Sequence, residues 1–140
     1  MRNITFETWR PYVLSLLRIM TALLLLEHGT QKLLGFPPGR PGPEFLSLIW
    51  FAGLIELVGG ALLLLGLFTR PVAFLLSGEL AFAYFMAHAP RGFFPILNGG
   101  ELAVLYCWVF FYLTFAGGGP LSLDRLLRNG GALPARSPAE

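Results

Sequence analysis

Between Pro11 and Gly117 the sequence is almost unbroken hydrocarbon, interrupted only by short clusters of proline and glycine. Pro11 opens a run to about Leu34, and GFPPGRPGP (35–43) then ends any helix, because prolines lack an amide donor and restrict the residue before them. The remaining breaks fall at GLFTRP, PRGFFP and the triple glycine 117–119, leaving runs over about 12–34, 45–67, 71–89 and 99–116. Each has roughly the 18 to 23 residues that an α-helix needs to cross about 30 Å of hydrocarbon. None alternates with period two, as a barrel strand would.

Composition decides the solvent. Only 13% of residues are charged and 55% are hydrophobic, with a mean hydropathy of +0.66. Ordinary soluble domains carry about one quarter charged residues, and this chain has too little polar surface to cover a globule in water. The expected fold is therefore all-α, an integral membrane four-helix bundle of up-down topology over residues 1–128. The first run passes signal-peptide length with no small-x-small site before Glu27 and His28, so it is expected to stay as a span.

The basic residues report topology. Arg2, Arg10, Arg70, Arg125, Arg128 and Arg136 fall on one side, and Lys32, Arg40 and Arg91 on the other. The positive-inside rule then predicts a multi-pass protein of the cytoplasmic membrane with both termini in the cytoplasm. Trp9, Tyr12 and Tyr112 suit an aromatic belt at that interface. PLSLDRLLR offers Ser122 as a cap and Leu123, Leu126 and Leu127 on one face, which predicts a short amphipathic helix on the inner leaflet. Residues 129–140 are expected to be a disordered tail. A net charge of +2 gives no nucleic-acid footprint. The single cysteine, Cys107, excludes an internal disulfide and is expected to pack as a small apolar residue.

Each run contains one glutamate: Glu27, Glu56, Glu79 and Glu101. A carboxylate near the bilayer centre costs on the order of 3 kcal/mol even on lenient scales. Counting about 1.5 Å per residue from the helix ends puts Arg18, Glu56 and Glu79 in one mid-membrane layer. Glu27, His28, His88 and Glu101 fall in an outer layer, with Lys32 and Arg91 at its rim. Small residues favour inward placement of Glu56: Ala52 and Gly60 flank it at steps of four, and Gly53 and Gly59 at steps of three. Gly29 and Gly78 do the same more weakly.

Simpler readings exist for several of these groups. Asn98-Gly99-Gly100-Glu101 has the spacing of a helix cap with an acid in the first turn. Lys32 would snorkel to the headgroups, His88 would sit at the interface, and Arg18 with Glu56 and Glu79 would be a structural ion-pair network. Metal binding by Glu27, His28, His88 and Glu101 ranks low, since no HExxH or di-iron Glu-x-x-His pair is present. Haem held between His28 and His88 ranks lower. No nucleophile elbow or phosphate loop appears. A quinone ring, by contrast, would find aromatic walls and groups able to exchange protons.

LLRIMTALLLLEHGTQKLLGF, GLIELVGGALLLLGLFTRPVAFLL and GELAVLYCWVFFYLTFAGGGPLSLD together resemble, in order and spacing, the signature blocks of the DoxX family of small bacterial and archaeal membrane proteins. The resemblance spans about residues 14–127. It points to Arg18, Gly29 and Lys32 on the first helix, to Glu56, Gly60 and Gly66 on the second, to the Thr69-Arg70 turn, and to Glu101 on the fourth. His28 fits the pattern, whereas Glu27, Glu79 and His88 are not carried by it. The resemblance implies four membrane helices. It also implies quinone-linked oxidation, as in subunits of thiosulfate:quinone oxidoreductases, or redox-stress complexes with soluble partner enzymes.

The expected function is thus a membrane redox component that binds a quinone in an intrabundle pocket and acts with a partner oxidoreductase, with no covalent cofactor. Glu27, His28, Glu56 and Glu101 are the expected proton-exchanging groups, and Arg18, Lys32, Glu79 and His88 the ligand-binding ones. Two alternatives are a non-catalytic membrane anchor or assembly subunit, and a small-solute or proton conduit through the two polar layers in series. The bilayer, a redox partner subunit and a homo-oligomeric copy are the partners expected.

Overall fold

The computed structural model describes residues 4–39 and 41–130. Among them there are helices and no strands: α1 (Ile4–Leu34), α2 (Leu48–Leu65), α3 (Thr69–Ala83), α4 (Pro95–Asn98), α5 (Glu101–Ala116) and α6 (Leu123–Gly130). The chain is an all-helical membrane bundle. Phe6–Leu34, Leu48–Leu65 and Thr69–Arg91 are long and apolar enough to cross a bilayer, and Glu101–Ala116 is a shorter apolar helix. Most large apolar side chains, among them Leu16, Ile55, Phe74, Leu105 and Trp108, point outward, as lipid-facing residues do.

The ends of the helices differ from expectation in instructive ways. Pro11 lies inside α1, which starts seven residues earlier, and the added turns carry a Glu7–Arg10 ion pair at 3.0 Å. Ser47 caps α2 by accepting the Trp50 N–H (3.2 Å). Gly66 ends α2 in the left-handed conformation (φ 67°), with Leu67 N–H returning to the Leu62 carbonyl; this Schellman closure is what a glycine permits there. α3 starts at Thr69, two residues before Pro71, because Asp124 from α6 accepts the Phe68 and Thr69 N–H groups (2.7 and 2.8 Å). α3 then passes through a π turn (Tyr84–His88) and a 3₁₀ turn (Ala89–Arg91). α6 runs to Gly130, so 129 and 130 are helical; the rest of the expected tail, with Arg2, Arg40 and Arg136, lies outside the described residues.

α1 packs chiefly on α2, and α3 on α5; the two pairs meet through α2 and α3, while α1 and α5 touch only briefly. Glycine sets the α1–α2 approach. A Cβ on Gly29 would stand 2.7 Å from the Leu57 backbone nitrogen, and one on Gly60 would stand 2.9 Å from Leu26. Gly78, by contrast, faces open space. The core lies between the pairs and includes Ala22, Leu25, Leu63, Leu76 and Phe110. Trp9 and Tyr112 border one surface groove at the end of the bundle that carries α6, where the belt was expected.

Candidate functional site

The α1–α2 register decides which buried charges meet. With Gly29 opposite Leu57 and Gly53 opposite Lys32, Lys32 lies about one turn from Glu56 along the shared axis. Helical side chains lean toward their own N-terminus, so on antiparallel helices these two lean toward each other. Lys32 Nζ sits 2.7 Å from both Glu56 oxygens. The Glu56 side chain is only 5% exposed and that of Lys32 29%. Lys32 thus does not take the simpler reading of reaching out to the headgroups: its ammonium turns into the bundle.

Around this pair lies a cavity of about 270 Å³, walled by His28, His88 and Tyr106, with apolar sides from Leu25, Leu80 and Leu102. His28 meets the Tyr106 ring edge-on at 6.3 Å, and Tyr106 stacks on Phe110. Glu79 on α3 lies within electrostatic reach of both Glu56 and Lys32, and one of its oxygens is buried without a hydrogen-bond partner. The ammonium pairs with Glu56 alone, and Glu79 stands nearby as a second acid.

The π turn brings His88 to the cavity. Its Nδ1 donates to the Asn98 carbonyl (3.2 Å), which in the neutral ring leaves Nε2 as the free acceptor. Asn98, 3% exposed, organises this corner: its amide donates to Tyr84 Oη (3.2 Å) and to the Gly92 carbonyl (2.9 Å), and its side-chain oxygen accepts Gly100 N–H (2.8 Å). Tyr84 stacks on His88. π turns of this kind recur at functional sites. Sequence reasoning treated Asn98 only as a cap and passed over Tyr84 and Tyr106. The available signal was that each is a polar residue placed away from the aromatic belt.

Three expected placements are corrected. Arg18 does not join Glu56 and Glu79; it is fully buried at the other end, where Nε donates to the Gly118 carbonyl (2.9 Å). Its remaining nitrogens donate to the carbonyls of Leu63, Leu64 (2.8 Å) and Leu121. It thus caps the C-terminus of α2, where unpaired carbonyls and the helix dipole favour a cation. The reason is that α1 overhangs that end of α2, so depth counted from Pro11 put Arg18 too deep. Glu27 faces outward, since neighbours on a helix point about 100° apart and His28 takes the inward direction. Glu101 is also exposed and borders a separate surface groove with Trp108. The residues expected in two layers therefore form one chamber of Lys32, Glu56, His28 and His88, with Glu79 beside it. The apolar core at Ala22, Leu63, Leu76 and Phe110 lies between this chamber and Arg18.

Cys107 packs half-buried against α3, and its carbonyl accepts the Ser77 hydroxyl (2.8 Å).

The DoxX family model matches residues 13–89, more than half of the chain, and covers Arg18, Lys32, Glu56, Glu79 and His88. The chain belongs to the DoxX family. It is 51% identical over 124 residues to an uncharacterized protein of Haemophilus influenzae, covering 84% of this chain and 92% of that relative. No solved structure matches. Within this DoxX protein the Lys32–Glu56 pair and the Arg18 cap divide the buried cations between two jobs, one at the chamber and one at the α2–α3 turn.

Proposed function

We propose that this DoxX protein is a redox-associated component of the cytoplasmic membrane that binds a quinone headgroup in the chamber and acts with a partner oxidoreductase. The observation that carries the reading is the Lys32–Glu56 pair on the wall of a cavity of mixed polar and apolar lining that also presents two imidazoles. That donor set fits a flat, neutral ring bearing carbonyls, and about 270 Å³ sits near the lower end of ligand-pocket sizes, suited to a headgroup.

A bound quinone supplies a two-electron, two-proton acceptor, with the electrons coming from the partner. This chain's own residues would position and protonate it. Lys32 and His28 offer donors to carbonyl oxygens. His88, with Nδ1 fixed by Asn98, holds or releases a proton at Nε2. Glu79 stands beside the chamber as a second carboxylate, one of its oxygens buried without a hydrogen-bond partner. Leu25, Leu80 and Leu102 offer an apolar wall to the ring. The basic residues at the α6 end favour a cytoplasmic position for both termini.

The test is mass spectrometry and an absorption spectrum of gently purified protein, followed by binding of a short-chain benzoquinone to wild type, H28A and H88A. Co-purified quinone, with binding lost in both variants, supports the reading. A Soret band, or benzoquinone binding that both variants leave unchanged, overturns it. A non-catalytic anchor is the second reading, favoured by the Arg18 cap, whose hydrogen bonds all close on this chain's own backbone.

A further inference from the structure

The end of the bundle that carries α6 holds a second concavity, unrelated to the chamber. A groove of about 700 Å³ lies between the start of α1, the α2–α3 turn and the 117–120 loop, and Arg70, Arg125 and Arg128 all border it. Arg70 lies over the loop: a Cβ on Gly117 would stand 3.5 Å from its Nε. Among the described residues these three guanidinium groups make no hydrogen bond or ion pair, unlike Arg10, which holds Glu7, and Arg18, which is saturated by carbonyls. The one carboxylate in the groove, Asp124, is engaged by the Phe68 and Thr69 amides. Three unpaired cations therefore face one space against a single committed acid.

Guanidinium forks match phosphate oxygens in bidentate geometry, and mutual repulsion among three of them is relieved by an anion. The depth of the groove says which anion. Exposed Trp9, Tyr12 and Tyr112 mark the headgroup level at this end. α6 turns Leu126 and Leu127 outward, as an interfacial helix does. Phe68 and Leu14 line the groove, and the Phe68 ring is exposed.

We propose that this groove binds the phosphate of an anionic phospholipid, clasped by Arg70 from α3 and by Arg125 and Arg128 from α6, with its glycerol and upper acyl carbons along Phe68 and Leu14. The bound lipid joins α6 to the α2–α3 turn from outside, as the Arg18 and Asp124 contacts do from inside.

The test is native mass spectrometry of the full chain in neutral detergent, titrated with phosphatidylglycerol or phosphatidylcholine, alongside a thermal-shift titration with inorganic phosphate. One phosphatidylglycerol per chain is expected to bind at least about tenfold more tightly than phosphatidylcholine. Each of R70Q, R125Q and R128Q should weaken it about fivefold, and the triple variant about a hundredfold. R10Q, at the same end but outside the groove, should leave it unchanged. Equal retention of the two lipids by wild type overturns the proposal, as does unchanged binding by all three single variants. Saturation by inorganic phosphate without lipid preference also overturns it, assigning the groove to a free phosphate. If the triple variant does not fold, the wild-type selectivity and the single variants still decide.

Discussion

Lys32 on α1 and Glu56 on α2 form a two-pronged ion pair, with Nζ 2.7 Å from each carboxylate oxygen. The two ends are not equivalent, because Glu56 is almost wholly enclosed whereas Lys32 keeps about a third of its side chain accessible.

From that asymmetry, K32M should destabilise more than E56Q. The first leaves an enclosed carboxylate beside another acid, Glu79, and the second leaves an ammonium able to reach outward. Breaking a buried pair costs roughly 3 kcal/mol, so K32M should approach that figure and E56Q should fall well short of it. K32M/E56M should recover part of the loss. Thermal unfolding in detergent, arranged as a double-mutant cycle, measures the coupling directly; equal losses in the two single variants would contradict the assigned asymmetry.

Arg18 serves carbonyls from three segments: α2, the Gly118 loop and Leu121. R18A should strand several of them, each at about 1 to 3 kcal/mol where it stays buried. R18K should rescue only partly, because an ammonium has three donors and no planar fork. Hydrogen exchange is expected to rise over residues 117–130 in R18A while α5 stays protected; uniform loss of protection would instead mean global unfolding.

Asp124, outside the membrane-spanning helices, connects α6 to the start of α3. Burial alone would raise its pKa, but hydrogen bonds from Thr69 and Phe68 together with the Arg18 charge outweigh it, and the carboxyl is held below its ordinary value. A depressed carboxylate pKa contributes stability above the unfolded value, near about 4, and loses it as pH falls through the folded value. The wild type should therefore exceed D124N in unfolding free energy by a constant amount, about 1 kcal/mol as for a helix cap, from neutral pH down to about pH 5. The gap should close below about pH 4. A gap that instead widens on acidification would reverse the sign assigned here.

Gly29 and Gly78 make a matched pair. A Cβ at Gly29 meets the backbone of Leu57, whereas one at Gly78 meets nothing within 4 Å. G29A should force α1 and α2 apart and cost about 1 to 3 kcal/mol. G78A should be within about 0.5 kcal/mol of wild type. Midpoints for both variants in the same detergent are the check, and a costly G78A would show a contact on that face of α3.

Much of this architecture was legible before any coordinates. Hydropathy and the proline and glycine clusters divide the chain, whereas the Ser47 cap that starts α2 at Leu48 was not read from the sequence. Glu56 was rightly expected on a glycine-lined face. The placement of Arg18 failed because α1 extends past α2, and a depth count from Pro11 has no access to that overhang. The π turn that presents His88 was equally hidden, since it arises from how Tyr84–His88 settles against Asn98 and not from any local propensity of YFMAH.

The sequence by itself determined that the chain lives in a bilayer, that it does so as helices, and which few ionisable groups those helices carry. These follow from local rules: hydrocarbon length, backbone hydrogen bonding and the conformational limits of proline and glycine. Only the tertiary structure decided which charges share a neighbour, giving Lys32 to Glu56, Arg18 to the end of α2, and the outward direction to Glu27 and Glu101. Those choices depend on the register and rotation of one helix against another. A few close glycine contacts fix both, and no single helix encodes them.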